Sequence, residues 1–295
     1  MRNDNKGREV YIIMRIEINF WNSDSILKGL SQIYNVPEDS IIQLMVEFGD
    51  QSELLSAFFE RYNIQPDVHS LEGVFVRCKV IGKYPDKDLL KKEGLMSLME
   101  LLKREESFLV RFLKGEGIRI DVEELTFQFH EKIIKIDPQS NLGNKLCYDN
   151  GEIEAFYYAS DSCMIEYSVV KQYPEILLTM DSFIEENFGK NSSLGNKWSK
   201  LTAGFDMISF YVNMNDTTYI TGRSDDWRDA FVYEEYYKEK YLYTDSYPKV
   251  LYMNLWLLAV GFECLRGELN NECCLGIRND ILIPYSDLQI IHYEK

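Results

Sequence analysis

The stretch LYMNLWLLAVGFECL, Leu251–Leu265, is apolar around the whole helical turn rather than along one stripe. A helix of this kind must be covered by other elements on every side. It carries Asn254 and Glu263 and falls short of the ~20 apolar residues that cross a bilayer, so it reads as a buried helix. A chain of 295 residues can supply the cover. At this size roughly three quarters of the unfolded surface is buried on folding, without help from a metal or a disulfide.

The flanking sequence alternates strand and helix patterns. Glu9–Phe20 and Gly73–Gly82 are rich in β-branched and aromatic residues and read as strands. Between them, three segments with apolar residues three and four apart predict helices, the first with Ser23 as N-cap and the second running from Pro37 to Gly49. A lysine-rich helical region follows Pro85, and Leu125–Asp137 alternates as one half-buried strand. Pro138–Lys145 is turn-forming and predicts a boundary. Beyond it come a hairpin at Asn150-Gly151, a helix between Pro174 and Gly189, a second hairpin turning at Asn215-Asp216 and a terminal β segment. The string LGNK occurs twice, at Leu142–Lys145 and Leu194–Lys197, which predicts two similar turns. The expected fold class is α+β. A mixed strand-helix domain occupies residues 1–137, and a hairpin-rich, acidic, aromatic α+β interaction domain occupies residues 138–295.

Net charge is −16, with −5 on residues 1–150 and −11 on residues 151–295. Phosphate contacts need Lys and Arg, so this balance argues against direct nucleic-acid binding and against an anionic membrane surface. It suits a basic partner, or solubility alone. None of the six cysteines forms a C-x-x-C pair, which removes zinc ribbons and thioredoxin-like chemistry. The opening MRNDNKGREVYIIMRIEINF carries charge throughout, with no apolar core of signal length. The expectation is a cytoplasmic protein with reduced thiols.

A search for chemistry finds little. His69, His130 and His292 lie far apart, and His130-Glu131 lacks the second histidine of a zinc-protease helix. There is no nucleophile elbow, P-loop or dinucleotide fingerprint, and DNGEIE lacks the first ligand of a calcium loop. One enzyme pattern is partly present. Mono-ADP-ribosyltransferases hold nicotinamide with an Arg or His on an early strand, here Arg77 or His69, and steady the ribose with an E-x-E glutamate, here Glu152 or Glu154. The Ser-Thr-Ser string expected between them is absent. No catalytic residue, cofactor or metal ligand is assigned.

Asp225–Tyr247, DDWRDAFVYEEYYKEKYLYTDSY, sets six tyrosines, Trp227 and Phe231 among seven acidic and three basic residues. Some of these rings fall at helical spacing and read as core. The others alternate with carboxylates too densely to be buried together. Tyr and Trp give rigid contact area at low entropic cost, so the stretch reads as a protein-docking surface, with Trp227, Tyr233, Tyr237 and Tyr243 as partner-binding candidates. Cys273-Cys274 reads either as two small apolar residues, one facing inward, or as a self-association contact between protomers.

Taken whole, in size, acidity, a mixed N-terminal domain, an aromatic C-terminal part and cysteines near the C-terminus, the chain resembles the phage-encoded Gabija anti-defence proteins. The resemblance implies a non-enzymatic inhibitor in the host bacterial cytoplasm. It would self-associate into a higher oligomer that encases the bacterial Gabija nuclease–helicase complex and blocks DNA binding and cleavage. Two other readings stand beside it: the ADP-ribosyltransferase-like enzyme, and an acidic DNA mimic that occupies a nuclease groove.

Overall fold

The computed structural model describes residues 14–85, 87–147, 153–159, 171–201, 203–220, 249–269 and 273–294. The apolar C-terminal segment forms α10 (Lys249–Arg266), in which Leu251 and every residue from Met253 to Phe262 are buried. It packs against α1 (Ser23–Tyr34) and α3 (Gln51–Arg61), with α2 (Glu38–Glu47) beside them. The N-cap of α1 is Asn22 rather than Ser23: its side chain accepts from Ser25 N, so the cap sits one residue earlier. On α1, Ile26, Leu30 and Ile33 supply the stripe that meets α10 and β1.

Asn254, the one polar side chain buried in the middle of α10, is fully satisfied. Its Oδ1 accepts from the Tyr34 hydroxyl at 2.9 Å, and its Nδ2 lies 2.8–3.0 Å from the carbonyls of Pro66, His69 and Val250. Two residues on, Trp256 forms edge-to-face pairs with Phe20 and Tyr157 at 5.6 and 4.9 Å, and its indole N–H donates to the Tyr157 hydroxyl.

Beneath these helices lies a seven-stranded sheet in the order β10-β7-β2-β6-β9-β8, with β1 (Ile16–Ile18) running parallel to the start of β2 (Val74–Gly82). The other members are β6 (Ile153–Tyr158), β7 (Phe205–Asn213), β8 (Thr217–Ile220), β9 (Cys273–Ile277) and β10 (Gln289–Tyr293), all paired antiparallel. The hairpin expected at Asn215-Asp216 does not form. A 3₁₀ turn at Met214–Asp216 sends the chain from β7 to β8, which pairs with β9 at the far side of the sheet. Four inter-strand steps of a flat sheet span about 19 Å, whereas the four residues from Asn213 to Thr217 reach at most about 15 Å. The sheet therefore curls at this end.

A second core gathers α5 (Leu98–Lys103), α6 (Phe108–Gly115), α7 (Asn141–Cys147), α8 (Glu175–Phe188) and α9 (Leu194–Ser199) around a three-stranded meander. The meander is β3 (Ile118–Asp121), β4 (Thr126–Phe129) and β5 (Lys132–Lys135). Leu125–Asp137 is thus two strands, not one: His130 takes a left-handed φ of 53° and turns the chain back at Glu131. Both LGNK strings prove helical. Each buries its leucine, Leu142 or Leu194, against α8, and each glycine allows a close approach. A Cβ on Gly143 would strike the Asp137 carbonyl, and one on Gly195 would lie 2.8 Å from the Tyr173 ring.

The division expected after residue 137 does not separate the cores. The chain builds the first core, then the second, returns to the first through β6, goes back to the second through α8 and α9, and ends in the first. Strand β6 beside β2, with Lys79 paired to Phe156, forces this interleaving. α4 (Lys87–Glu93) joins the two halves. Its buried Glu93 faces Arg104 at 3.4 Å, while Lys83 donates to the Ser199 carbonyl at 2.6 Å.

Replacing Asn254 by Leu leaves two loop carbonyls without partners in the core and the Tyr34 hydroxyl with only the long 3.4 Å contact to the backbone carbonyl of residue 254. Asn254→Leu is expected to lower unfolding free energy by about 3 kcal/mol in urea titration, although an apolar side chain at an all-apolar helix position would by hydrophobicity alone be stabilising.

Candidate functional site

Strand alternation divides the sheet into two unlike faces. On β2, Val74, Val76, Cys78 and Val80 point into the helical core, while Phe75, Arg77 and Lys79 point out. On β7, Ile208, Phe210 and Val212 point in, and Phe205, Met207 and Tyr211 point out. Because opposed residues in a ladder share a face, the Arg77–Tyr211 and Lys79–Ser209 pairs bring cations and rings together on the outer side.

The cations on this face lie on rings. The Arg15 guanidinium sits 4.2 Å from the centre of Phe75 and 6.0 Å from that of Tyr211, whose ring Arg77 approaches from its other neighbour at 5.9 Å. Lys79 Nζ lies 4.0 Å above Trp21, which stacks on Tyr158 and donates its indole N–H to the Ala159 carbonyl. Toward the other end, Phe205 is sandwiched between Tyr293, stacked at 5.0 Å, and Lys171 Nζ at 5.1 Å. Each such contact contributes about 0.5–1 kcal/mol at an exposed site. Arg15 also pairs with Glu17, and Arg77 crosses β7 to donate to Gln289 Oε1 at 2.7 Å. On a chain of net charge −16, the outer sheet face is an assembly of cations and aromatic rings.

At the Phe205 end of β7 the opposite, inner side of the sheet carries a polar cluster. Buried Asp206 on β7 pairs with His292 Nδ1 at 2.8 Å and with Lys87 at 3.4 Å. Burial, with the Asp206 charge adding to it, pushes the Tyr84 phenol well above its ordinary range. Sequence reading left His292 isolated, because its partner is 86 residues away and only the β7–β10 ladder unites them. The contact fastens the edge strand to the sheet.

The candidates named from sequence fare differently. Trp227, Tyr233, Tyr237 and Tyr243 lie outside the described residues, as does Glu152. Cys273 is buried in the core with Leu275 and Ile277, and it hydrogen-bonds with Tyr157, so it cannot meet another protomer without opening the fold. Cys274 points to the outer side and is half-buried. The described cysteines are free thiols. His69 is a structural residue: its Nε2–H donates to the Ile33 carbonyl at 3.0 Å and its ring stacks on Tyr34 at 4.9 Å. Arg77 and Glu154 do share the outer face, but the Lys79–Phe156 register offsets them by four residues, about 13 Å along the strands. The structure does not bring them together.

Among the described residues no group of three His, Cys, Asp or Glu side chains converges on a metal position, and no helix is long and apolar enough to cross a membrane. Comparison with models of known protein families, with curated proteins and with solved structures gave no match.

The buried thiols give a direct check on the placement of the cysteines. Burial raises the Cys78 thiol well above its ordinary range and pushes Cys264 up to about 12. Only the thiolate is alkylated. In native protein at pH 8, Cys78, Cys264 and Cys273 are therefore expected to resist iodoacetamide and to react fully once urea unfolds the chain, read by peptide mass spectrometry. Rapid native labelling of Cys273 would contradict its place in the core.

Proposed function

We propose that this chain is a non-catalytic binding protein that acts in the bacterial cytoplasm by encasing the Gabija nuclease–helicase complex, as its resemblance to the Gabija anti-defence proteins implies. The observation that carries the binding reading is the outer sheet face. Rings and guanidinium groups there are held on a rigid ladder, and rigid anchors lose little entropy when a partner covers them. The acidic, tyrosine-rich stretch Asp225–Tyr247, which lies outside the described residues, reads from its sequence as a second contact segment of opposite charge. Two surfaces of unlike charge suit a protein that contacts its target and further copies of itself through different faces.

The same face favours encasement over DNA mimicry. A mimic needs carboxylates arrayed like phosphates, and its affinity falls steeply with salt. The outer face presents Arg15, Arg77 and Lys79 over rings instead.

Copurification from cells expressing the Gabija complex tests the reading. Alanine variants of Trp227, Tyr233, Tyr237 and Tyr243 are each compared for melting temperature and for recovery of the complex. At least one is expected to melt normally yet lose partner affinity by about 30-fold, the equivalent of ~2 kcal/mol. Failure of the unaltered chain to recover the complex would refute the assignment of partner. Affinity that collapses between low and moderate salt, with competition by short duplex DNA, would favour the mimic.

A further inference from the structure

The last strand of the sheet sets up a second, separate binding site. Strand β10 lies at the end of the strand order and, among the described residues, pairs on one side only, with β7. Its register with β7 is unbroken from Gln289 to Tyr293. Proteins normally protect such an edge with a lysine, a proline, a bulge or a covering element, because unpaired N–H and C=O groups recruit further strands. β10, QIIHY, has no charged residue and no proline. Ile291 is 54% exposed and Tyr293 39% exposed.

One cation of the outer face reaches this edge. Arg77 extends across β7 to Gln289, and among the described residues it has no carboxylate partner. Arg15 stands beside it on the shared Tyr211 ring. Arg15 is already paired with Glu17, whereas Arg77 is held by the Tyr211 ring and one hydrogen bond to a neutral amide, so its other N–H groups remain to bind a carboxylate.

We propose that the β10 edge, with Arg77 beside it, binds an extended acidic segment of another protein by strand addition. Main-chain pairing to β10 supplies affinity, and a carboxylate opposite Gln289 or Ile291 meets Arg77 and supplies specificity. Asp287 and Glu294 bracket the strand, which confines the acidic side chain to its middle. A nucleic acid fits less well, since the chain's own cations occupy the ring faces on which bases would stack. Pairing of β10 with β10 of a second copy leaves Arg77 without a carboxylate on either side. The proposal stands independently of the Gabija reading.

The test uses the full chain and three fluorescent nine-residue peptides, with threonine at each end and valine alternating with glutamate, glutamine or lysine between. By anisotropy the glutamate peptide is expected to bind about tenfold more tightly than the glutamine peptide, and the lysine peptide not to bind. Arg77→Gln is expected to erase the glutamate preference without changing the melting temperature. N-methylation of alternate peptide residues should abolish binding in one register and spare it in the other, because only one set of N–H groups faces β10. Any of four results overturns the proposal: no binding of the glutamate peptide, equal or better binding of the glutamine or lysine peptide, tolerance of N-methylation in both registers, or displacement by oligothymidylate. A concentration-dependent dimer that the glutamate peptide does not dissociate would equally overturn it, by assigning the edge to a second copy.

Discussion

The side chain of Asn254 fixes the arrangement on which the rest of the fold depends. Helix α10 is apolar on all sides, and apolar contact is non-directional, so packing alone leaves its rotation about its own axis poorly specified. One amide in a dry interior changes that. With the Tyr34 hydroxyl on one side and the Pro66 and His69 carbonyls on the other, only one rotation satisfies every buried polar group. That rotation turns Trp256 toward Tyr157 and Phe20, and so seats the helix on β6 and the start of α1. It also orders the loop that carries His69, which explains why that histidine is structural.

Once the helical layer is fixed, strand alternation decides what the other face of the sheet can be. Most inward positions on β2, β6, β7 and β9 are taken by side chains of the core, among them Cys273, and Asp206 at the start of β7 is a polar exception. The outward positions carry Arg, Lys, Phe and Tyr together with Ile81, Met207 and Ser209. On that side a small apolar cluster of Ile81, Ala159, Phe156, Phe205 and Met207 lies beside the rings with stacked cations, and cation–ring pairing shields ring faces from water while the charged heads remain hydrated.

Much of the framework was legible in the sequence, and the reasons differ by element. α1, α2, α3 and α8 were legible because helix-period stripes ended at Asn, Pro or Gly signals. The LGNK segments were misread because Gly and Asn mark turns locally, whereas here glycine serves close packing against Asp137 and Tyr173 and helix forms regardless. The Asn215-Asp216 hairpin failed for the opposite reason. The turn exists, but the partner of β8 is chosen by sheet curvature and by β9, neither of which is local. The outer face was half visible: Phe75, Arg77 and Lys79 alternate openly with Val74, Val76 and Cys78. Their partners Arg15, Trp21, Tyr211 and Gln289 arrive from segments up to 212 residues away, and no periodicity joins them.

Charge makes the same point about what composition can and cannot say. A net −16 argues for a long-range field that repels polyanions, but an average carries no information on placement. The described cations of the outer face stand on rings, and one of them, Arg77, reaches from an interior strand to the last strand of the sheet. An acidic protein that only needed solubility would gain nothing from that placement, since an exposed lysine or arginine is equally soluble anywhere. Stacked guanidinium groups are pre-ordered and part-desolvated, so a carboxylate that meets them gives up less entropy and less water than one meeting a free arginine. The physical consequence is a local preference opposite in sign to the global field: long-range repulsion slows acidic partners in general, and short-range pairing retains the one that presents its carboxylates along a strand.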